Sequence, residues 1–340
     1  MTLRLSVLDQ SVSLAGSSED AAIRDTLSLA EHCEQLGYSR FWVSEHHGLP
    51  TIVGSAPEIL MAAIAARTHA IRIGSAGVML PHYSAFKVAE QFRVLEALAP
   101  GRIDLGVGRA PGSDMRTARA LNPHASHGAE DFPAQVRDLH AWTSLGTLDG
   151  ITAHPLGPHA PQIWMLGSSD YGAQLAAHFG LPYAFAYFFT DGEGAEQAIG
   201  LYRERYQPSE RHPCAQATLC IWALVAESDD EARHLALSRD RWRTDRQRGV
   251  LGPLQAPDEI ARQSFSAADE AMLSAMRAKA FVGSPATVGA RLRRLASDFA
   301  LDEVVVNTWA HDPAVRRSSY ALLAKEFGLT ARSRAKAATA

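Results

Sequence analysis

Short apolar runs alternate with longer amphipathic stretches eight times along the chain, and this alternation constrains the fold more than any other feature. Strands that alternate strictly with helices read as a parallel sheet, since parallel neighbours need a long, usually helical, crossover. Runs at 3–8, 41–43, 71–78, 103–107, 163–166, 183–187, 218–226 and 303–307 read as strands. Helical spacing follows at 21–36, 57–68, 85–98, 133–145, 171–179 and 193–206, from 229 onward, and at 285–296 and 313–327. A long polar stretch, 109–131, separates the fourth strand from its helix. Eight repeats in series suit a (β/α)8 TIM barrel with insertions. No linker or composition break divides them, so one domain is expected over 1–330. An insertion at about 247–280 is a candidate lid or rim element, and a tail follows at 331–340. A doubly wound sheet is the structural alternative, and no phosphate fingerprint after the first strand supports it.

At 340 residues and 46% hydrophobic, the chain can bury a large core without covalent or metal staples. Lys and Arg total 33 against 37 Asp and Glu, a formal charge of −4. That balance argues against nucleic acid or an anionic membrane as the main partner, since both select a basic face. The basic cluster singled out, Arg332, Arg334 and Lys336, sits in an Ala-rich tail and reads as a solvated terminus. Cys33, Cys214 and Cys220 are widely spaced, which supports neither a disulfide framework nor a cysteine zinc site. With no signal-like start and no membrane-length apolar run, a cytoplasmic location is expected.

In a barrel, functional groups sit at the C-terminal ends of strands. Three such ends carry unusual residues. Ser44-Glu45-His46-His47 follows the second strand. Neighbouring residues leaving a strand point apart, and neither HExxH nor HxxEH is present, so no metal site is expected. His46 is the candidate general acid/base or hydrogen-bond donor, because histidine titrates near working pH. Gly106 to Gly112 follows the fourth strand with spacing G-x-G-x-x-x-G, which is not the dinucleotide fingerprint. Arg109 within it is suited to clamping a phosphate or to a rim salt bridge. Gly167-Ser168-Ser169-Asp170-Tyr171 opens a helix whose free N–H groups suit an anion, or only a serine cap. It is no nucleophile elbow, since Tyr171 stands where glycine is required.

These motifs, taken in order, resemble the bacterial luciferase-like, flavin-dependent monooxygenases. Phe41 to His47 is similar to the family's second-strand motif, Gly74 to Pro81 with Ala89 to Phe92 to its third strand and helix. Pro100 to Gly112 resembles its fourth strand and Leu166 to Ser169 its fifth. The similarity runs from residue 3 to about 327 and is closest to the single-barrel members. It implies a TIM barrel that binds FMN, received as reduced FMNH2 from a separate NAD(P)H:flavin reductase. Reduced flavin and O2 would form a C4a-hydroperoxide that oxygenates a small-molecule substrate. Position by position, the resemblance makes Arg109, Ser168 and the N–H of Tyr171 phosphate contacts. Ala76 and Gly77 match a pair joined by a non-proline cis peptide beneath the flavin ring. Glu45 matches a flavin-site acid and His46 the histidine near the reacting edge. Gly108 stands where the light-emitting enzymes carry a cysteine, and no second phosphate arginine is evident around Glu130-Asp131-Phe132. A homodimer is the family's habit.

Three other readings stay open on sequence alone. They are an F420-dependent oxidoreductase on the same barrel, a catalytically silent flavin-binding protein and a metal-dependent barrel hydrolase. Aromatic residues near strand ends (Phe185, Tyr187, Phe188, Phe189 and Trp309) suggest an apolar substrate pocket.

Overall fold

The computed structural model describes residues 3–109, 114–123 and 131–331. The basic tail residues, together with Ala110, Pro111, Gly112 and Glu130, lie outside them. Eight parallel strands form the frame: β1 (Arg4–Asp9), β2 (Arg40–Val43), β3 (Arg72–Met79), β4 (Ile103–Gly108), β5 (Gln162–Gly167), β6 (Tyr183–Phe185), β7 (Ala217–Val225) and β8 (Glu303–Asn307). Each pairs with the next, and β8 returns to β1 through Leu5↔Val304 and Val7↔Val306, so the sheet closes into a barrel.

Alternation along each strand sorts side chains into two cores, because successive residues point to opposite faces. Leu5 and Val7 of β1, Phe41 and Val43 of β2, and Leu105 and Val107 of β4 pack in the large core shared with the helices. Their neighbours Leu8, Trp42, Trp164, Ala184, Cys220 and Val305 form a separate cluster in the barrel lumen. The surrounding helices are α1 (Glu19–Leu36), α2 (Pro57–Ala65), α3 (Ala85–Leu98), α4 (Phe132–Ser144), α5 (Asp170–His178), α6 (Ala195–Arg205), α7 (Asp229–Gln247), α8 (Pro285–Asp298) and α9 (Pro313–Glu326). Local chemistry sets their ends. Ser18 accepts the Ala21 N–H at the start of α1, and Gly37 stops that helix at φ 90°, a conformation glycine takes without a Cβ clash.

The N-terminal end of the barrel is closed by buried ions. Arg40 donates to Glu303 and Asp104, both at 2.8 Å, while Arg72 and the Trp42 indole N–H also donate to Asp104. Asp104 is fully buried, which by itself would raise its carboxyl; Arg40 and Arg72 more than offset that and hold it below the usual carboxylate range. With that end plugged, the open mouth is at the C-terminal ends of the strands.

Two local expectations need correction, and further short elements occur where none was expected. The strand expected over 183–187 stops at Phe185, and Tyr187–Thr190 forms a single helical turn that ends with Asp191 at φ 49°. Helix α2 ends at Ala65, three residues before the expected limit. The polar stretch after β4 holds a helix, Met115–Leu121, capped by Asp114. A small hairpin, Thr147–Leu148 with Ile151–Thr152, sits after α4. Between α7 and α8 come helices Pro257–Ala261 and Ala267–Lys279, then strand Phe281–Gly283, which adds to the C-terminal half of β7.

Candidate active site

All eight candidate site residues line one cavity of about 290 Å³ at the C-terminal mouth: Glu45, His46, Ala76, Gly77, Gly108, Arg109, Ser168 and Tyr171. Four strand ends bring them together. The cavity floor is made where β3 and β4 come closest. The Ala76–Gly77 peptide is cis, and the β3–β4 register shifts between Ser75 and Val78 at this point. A Cβ at Gly77 would lie 2.7 Å from the Gly106 carbonyl oxygen, and one at Gly106 would lie 2.1 Å from that of Ser75. Only glycine fits either position without moving backbone. At Gly108 the reverse holds, since a Cβ there would meet nothing within 4 Å.

One wall of the cavity is built for an anion. The Arg109 guanidinium is exposed, lies 4.1 Å from the Tyr171 ring centroid and has no carboxylate partner among the described residues. Beside it, α5 begins after Ser169, whose side chain makes no capping hydrogen bond, in contrast to Ser18, Ser84, Ser228 and Ser284 at their helices. The first N–H groups of α5 therefore keep their donor capacity and the positive end of the helix dipole. A Cβ added at Gly167 would lie 3.5 Å from the Gly172 Cα across the strand–helix turn, which tucks this helix start against the end of β5.

The acidic and imidazole groups have separate jobs. Glu45 is 2% exposed, and its carboxylate accepts from the Met79 N–H (3.0 Å) and the Tyr83 hydroxyl (2.6 Å) and contacts His47 Nε2 (2.8 Å). Burial, reinforced by Glu45, pushes the Tyr83 hydroxyl well up, so it stays a donor. Glu45 thus ties the end of β2 to the segment after the cis peptide. His46 donates its backbone N–H to Gly54, and its Nδ1 lies 3.3 Å from Ser44 Oγ. Burial lowers its pKa to about 4, helped by His47 and Arg246 and opposed by Glu45. The expectation of a histidine titrating near working pH is corrected: this imidazole is neutral there. Cys220 also lines the cavity, and burial, then Glu303, pushes its thiol up to about 12, leaving it uncharged. No cluster of three or more potential metal-ligating side chains occurs among the described residues.

Sequence reasoning missed Gln10 and the arginines of α7. Gln10 follows β1 and borders both this cavity and a second chamber beside it. A polar residue at the mouth end of β1 was the available signal, by the same strand-end logic that found Arg109.

Comparison with known proteins shows which family the chain resembles. The family model described as luciferase-like monooxygenase matches residues 3–302. A luciferase-like monooxygenase of Escherichia coli (strain K12) is 37% identical over 94% of this chain and 96% of its own. The N-acetyl-S-alkylcysteine monooxygenase of Bacillus subtilis (strain 168) is 33% identical over 94% and 97%. The crystal structure of apo-MsnO8 superposes with a TM-score of 0.89 at 34% identity, covering 97% of this chain and all of that one.

Proposed function

The chain belongs to the luciferase-like monooxygenase family, and we propose that it is an FMN-dependent member that uses reduced FMN and O2 to oxygenate a small organic substrate. The observation that carries this reading is the anion cradle formed by Arg109, stacked on Tyr171, and the uncapped start of α5. A terminal phosphate fits there through charge-assisted hydrogen bonds and the helix dipole. The flavin ring fits the floor, where Gly77, Gly106 and Gly108 present no side chain.

When bound, reduced FMN supplies the electrons with which O2 is activated. The chain's own residues bind, orient and shield. Arg109, Ser168 and the Tyr171 N–H hold the phosphate, while Ala76 and Gly77 support the ring. Glu45 acts as a positioning residue, because its carboxylate is occupied by the Met79 N–H, Tyr83 and His47. His46 Nε2 has no hydrogen-bond partner among the described residues, so a neutral imidazole presents one polar atom to the cavity. The apolar walls, Leu8, Leu166, Ala184 and Phe188, exclude water from the reacting groups. In this reading a separate NAD(P)H:flavin reductase supplies the reduced cofactor and the chain works as a homodimer; both rest on the family resemblance.

The test is anaerobic titration of the apoprotein with reduced FMN, followed by admission of O2. Saturable binding and O2 consumption that depends on the protein are expected. Binding of F420 without binding of reduced FMN would overturn the assignment.

A further inference from the structure

Next to the cofactor cavity lies a second chamber of about 530 Å³, and the two share Gln10, His46, Phe188 and Phe189. A molecule held in it would lie against the flavin cavity. Its walls combine aromatic side chains with polar and charged ones. Trp222 comes from the C-terminal half of β7 and Trp309 from just beyond β8. Trp242 of α7 meets Trp309 edge to face at 4.7 Å.

The charges in this chamber are unusual. Helix α7 presents Arg239, Arg243 and Arg246 to it at i, i+4 and i+7, the spacing of one helix face. Arg243 is neutralised by Asp191 through two hydrogen bonds, at 3.0 and 2.7 Å. Arg239 is not neutralised. It is 9% exposed and its guanidinium carbon lies 4.0 Å from the Trp222 ring centroid. It makes no hydrogen bond or ion pair with the described residues. Its chain neighbour Asp240 pairs instead with Arg277, at 2.7 Å. Arg246, exposed at the chamber's edge and 5.3 Å from the Trp242 ring, has no ion pair among the described residues. The acid on this wall, Asp114, is the helix cap for Met115–Leu121.

A buried guanidinium without a counter-ion is costly, and proteins keep one where a ligand anion completes it. The cost shows in Arg239 itself: burial, then Arg243, pulls its pKa down to about 9 despite Asp191 and Asp240. The stack on Trp222 fixes the guanidinium plane, as a bidentate partner requires. We infer that the oxygenated substrate is an organic carboxylate whose carboxylate pairs with Arg239 and whose apolar body lies among Trp222, Trp242 and Trp309. Three indole walls and one uncompensated buried cation select an apolar monoanion over a polyanion, and the flat guanidinium matches a carboxylate edge to edge.

Gln10 sets the direction in which the molecule lies. Its Oε1 accepts from Asn307 Nδ2 (2.6 Å) and from Trp309 Nε1 (3.1 Å). An indole N–H can only donate, so the amide orientation is settled and Nε2 is the donor side, at the boundary of the two chambers. The end of the substrate remote from the carboxylate therefore meets Gln10 and His46 next to the flavin site.

This inference rests on the flavin reading, yet its test needs no flavin. The three tryptophans report occupancy through their own fluorescence in the apoprotein. The probes are benzoate, 4-phenylbutyrate and octanoate, each titrated against its primary amide, which keeps the shape and removes the charge. At least one carboxylate is expected to bind 10-fold or more tighter than its amide. Arg239→Gln should bring that ratio to within about 3-fold of unity, and Arg239→Lys should restore part of it. Binding of oxidised FMN, followed by flavin fluorescence, should be the same in all three proteins. Equal affinity for acids and amides in the wild type, or no quenching by any probe, overturns the inference. So does an unchanged ratio in a folded Arg239→Gln. Should that variant not fold, the wild-type ratio decides, with Arg246→Gln at the edge expected to reduce it by 2- to 5-fold. Loss of FMN binding with the acid preference intact would refute the flavin reading and leave this one standing.

Discussion

Removing the Arg109 guanidinium tests the anion cradle with little disturbance elsewhere. Arg109 is exposed and forms no ion pair with the described residues, so Arg109→Ala leaves no buried charge stranded and should change stability by no more than about 0.5 kcal/mol. Its contribution to FMN is a charge-assisted contact to phosphate, a class worth about 1.5–3 kcal/mol. Exposure and salt screening at the cavity edge reduce this to about 1–2 kcal/mol, a 5- to 30-fold weaker Kd. The N–H groups of α5 remain and keep part of the affinity. Riboflavin lacks the phosphate, so its Kd should shift by less than 2-fold. Tyr171→Leu should give a smaller version of the same pattern, because it frees the guanidinium from its ring at 4.1 Å without removing it. The assay is quenching of flavin fluorescence by apoprotein, with FMN and riboflavin titrated in parallel at low and high salt. The wild-type preference for FMN should shrink as salt rises, and that of Arg109→Ala should change less. Equal losses for the two flavins, or an FMN loss below 2-fold, would refute the cradle.

Three further outcomes follow from the geometry. Gly106→Ala puts a Cβ 2.1 Å from the Ser75 carbonyl oxygen and should cost about 2 kcal/mol or more in urea unfolding; Gly108→Ala, with nothing within 4 Å, should cost no more than about 0.5 kcal/mol. Arg40→Met leaves Glu303 with Ser6 and the part-exposed Arg4, and Asp104 with Arg72 and the Trp42 N–H, for an expected loss of about 3 kcal/mol and an unchanged FMN Kd; a stability change under 1 kcal/mol would contradict the plug. For His46 the folded pKa of about 4 lies below the unfolded value of about 6.5, so between those limits the unfolded chain binds a proton the native site refuses. Stability should fall as pH drops through that window, less steeply in His46→Gln, and kcat/KM should show no inflection near pH 6.5 from this residue; an NMR-detected His46 titration near 6.5 would count against its burial.

The strands were legible because each is a short apolar run between helices, and β8 matches its expected limits at both ends. The strand expected over 183–187 overran at Tyr187, an aromatic residue that favours strands in isolation. Tertiary context decided otherwise, as the chain must turn at Asp191, whose carboxylate anchors Arg243. The hairpin at 147–152 carried a signal that was overlooked: Asp149-Gly150, both at positive φ, is a favoured two-residue hairpin turn. For the site, strand-end reasoning and the family resemblance found groups that share a cavity, but could not tell that His46 is held neutral or that the Glu45 carboxylate is already occupied. Those properties come from desolvation and from partners at Met79 and Tyr83, distant in sequence. The α7 arginines sit in Arg-Asp-Arg-Trp-Arg, which reads as an ordinary charged helix. Only the fold shows that Asp191 answers Arg243 while no described residue answers Arg239.

The same alternation that built the barrel also divides its labour. Along a strand every second residue enters the lumen, so one strand supplies both ends: Arg40 and Trp42 of β2 belong to the plug and the lumen core, and Glu45 and His46 just beyond reach the mouth. In β4 the sequence runs from Asp104, the centre of the ionic plug, through Gly106, where β3 touches it, to Gly108 and Arg109 at the cofactor wall. Charges at the closed end are paired and buried, so their loss is felt as stability. At the open end Arg109 and Arg239 stand without counter-ions among the described residues, so their loss should be felt as affinity. In the proposed reading, this contrast would make the mouth the place where two anionic molecules, one phosphate-bearing and one carboxylate-bearing, meet side by side.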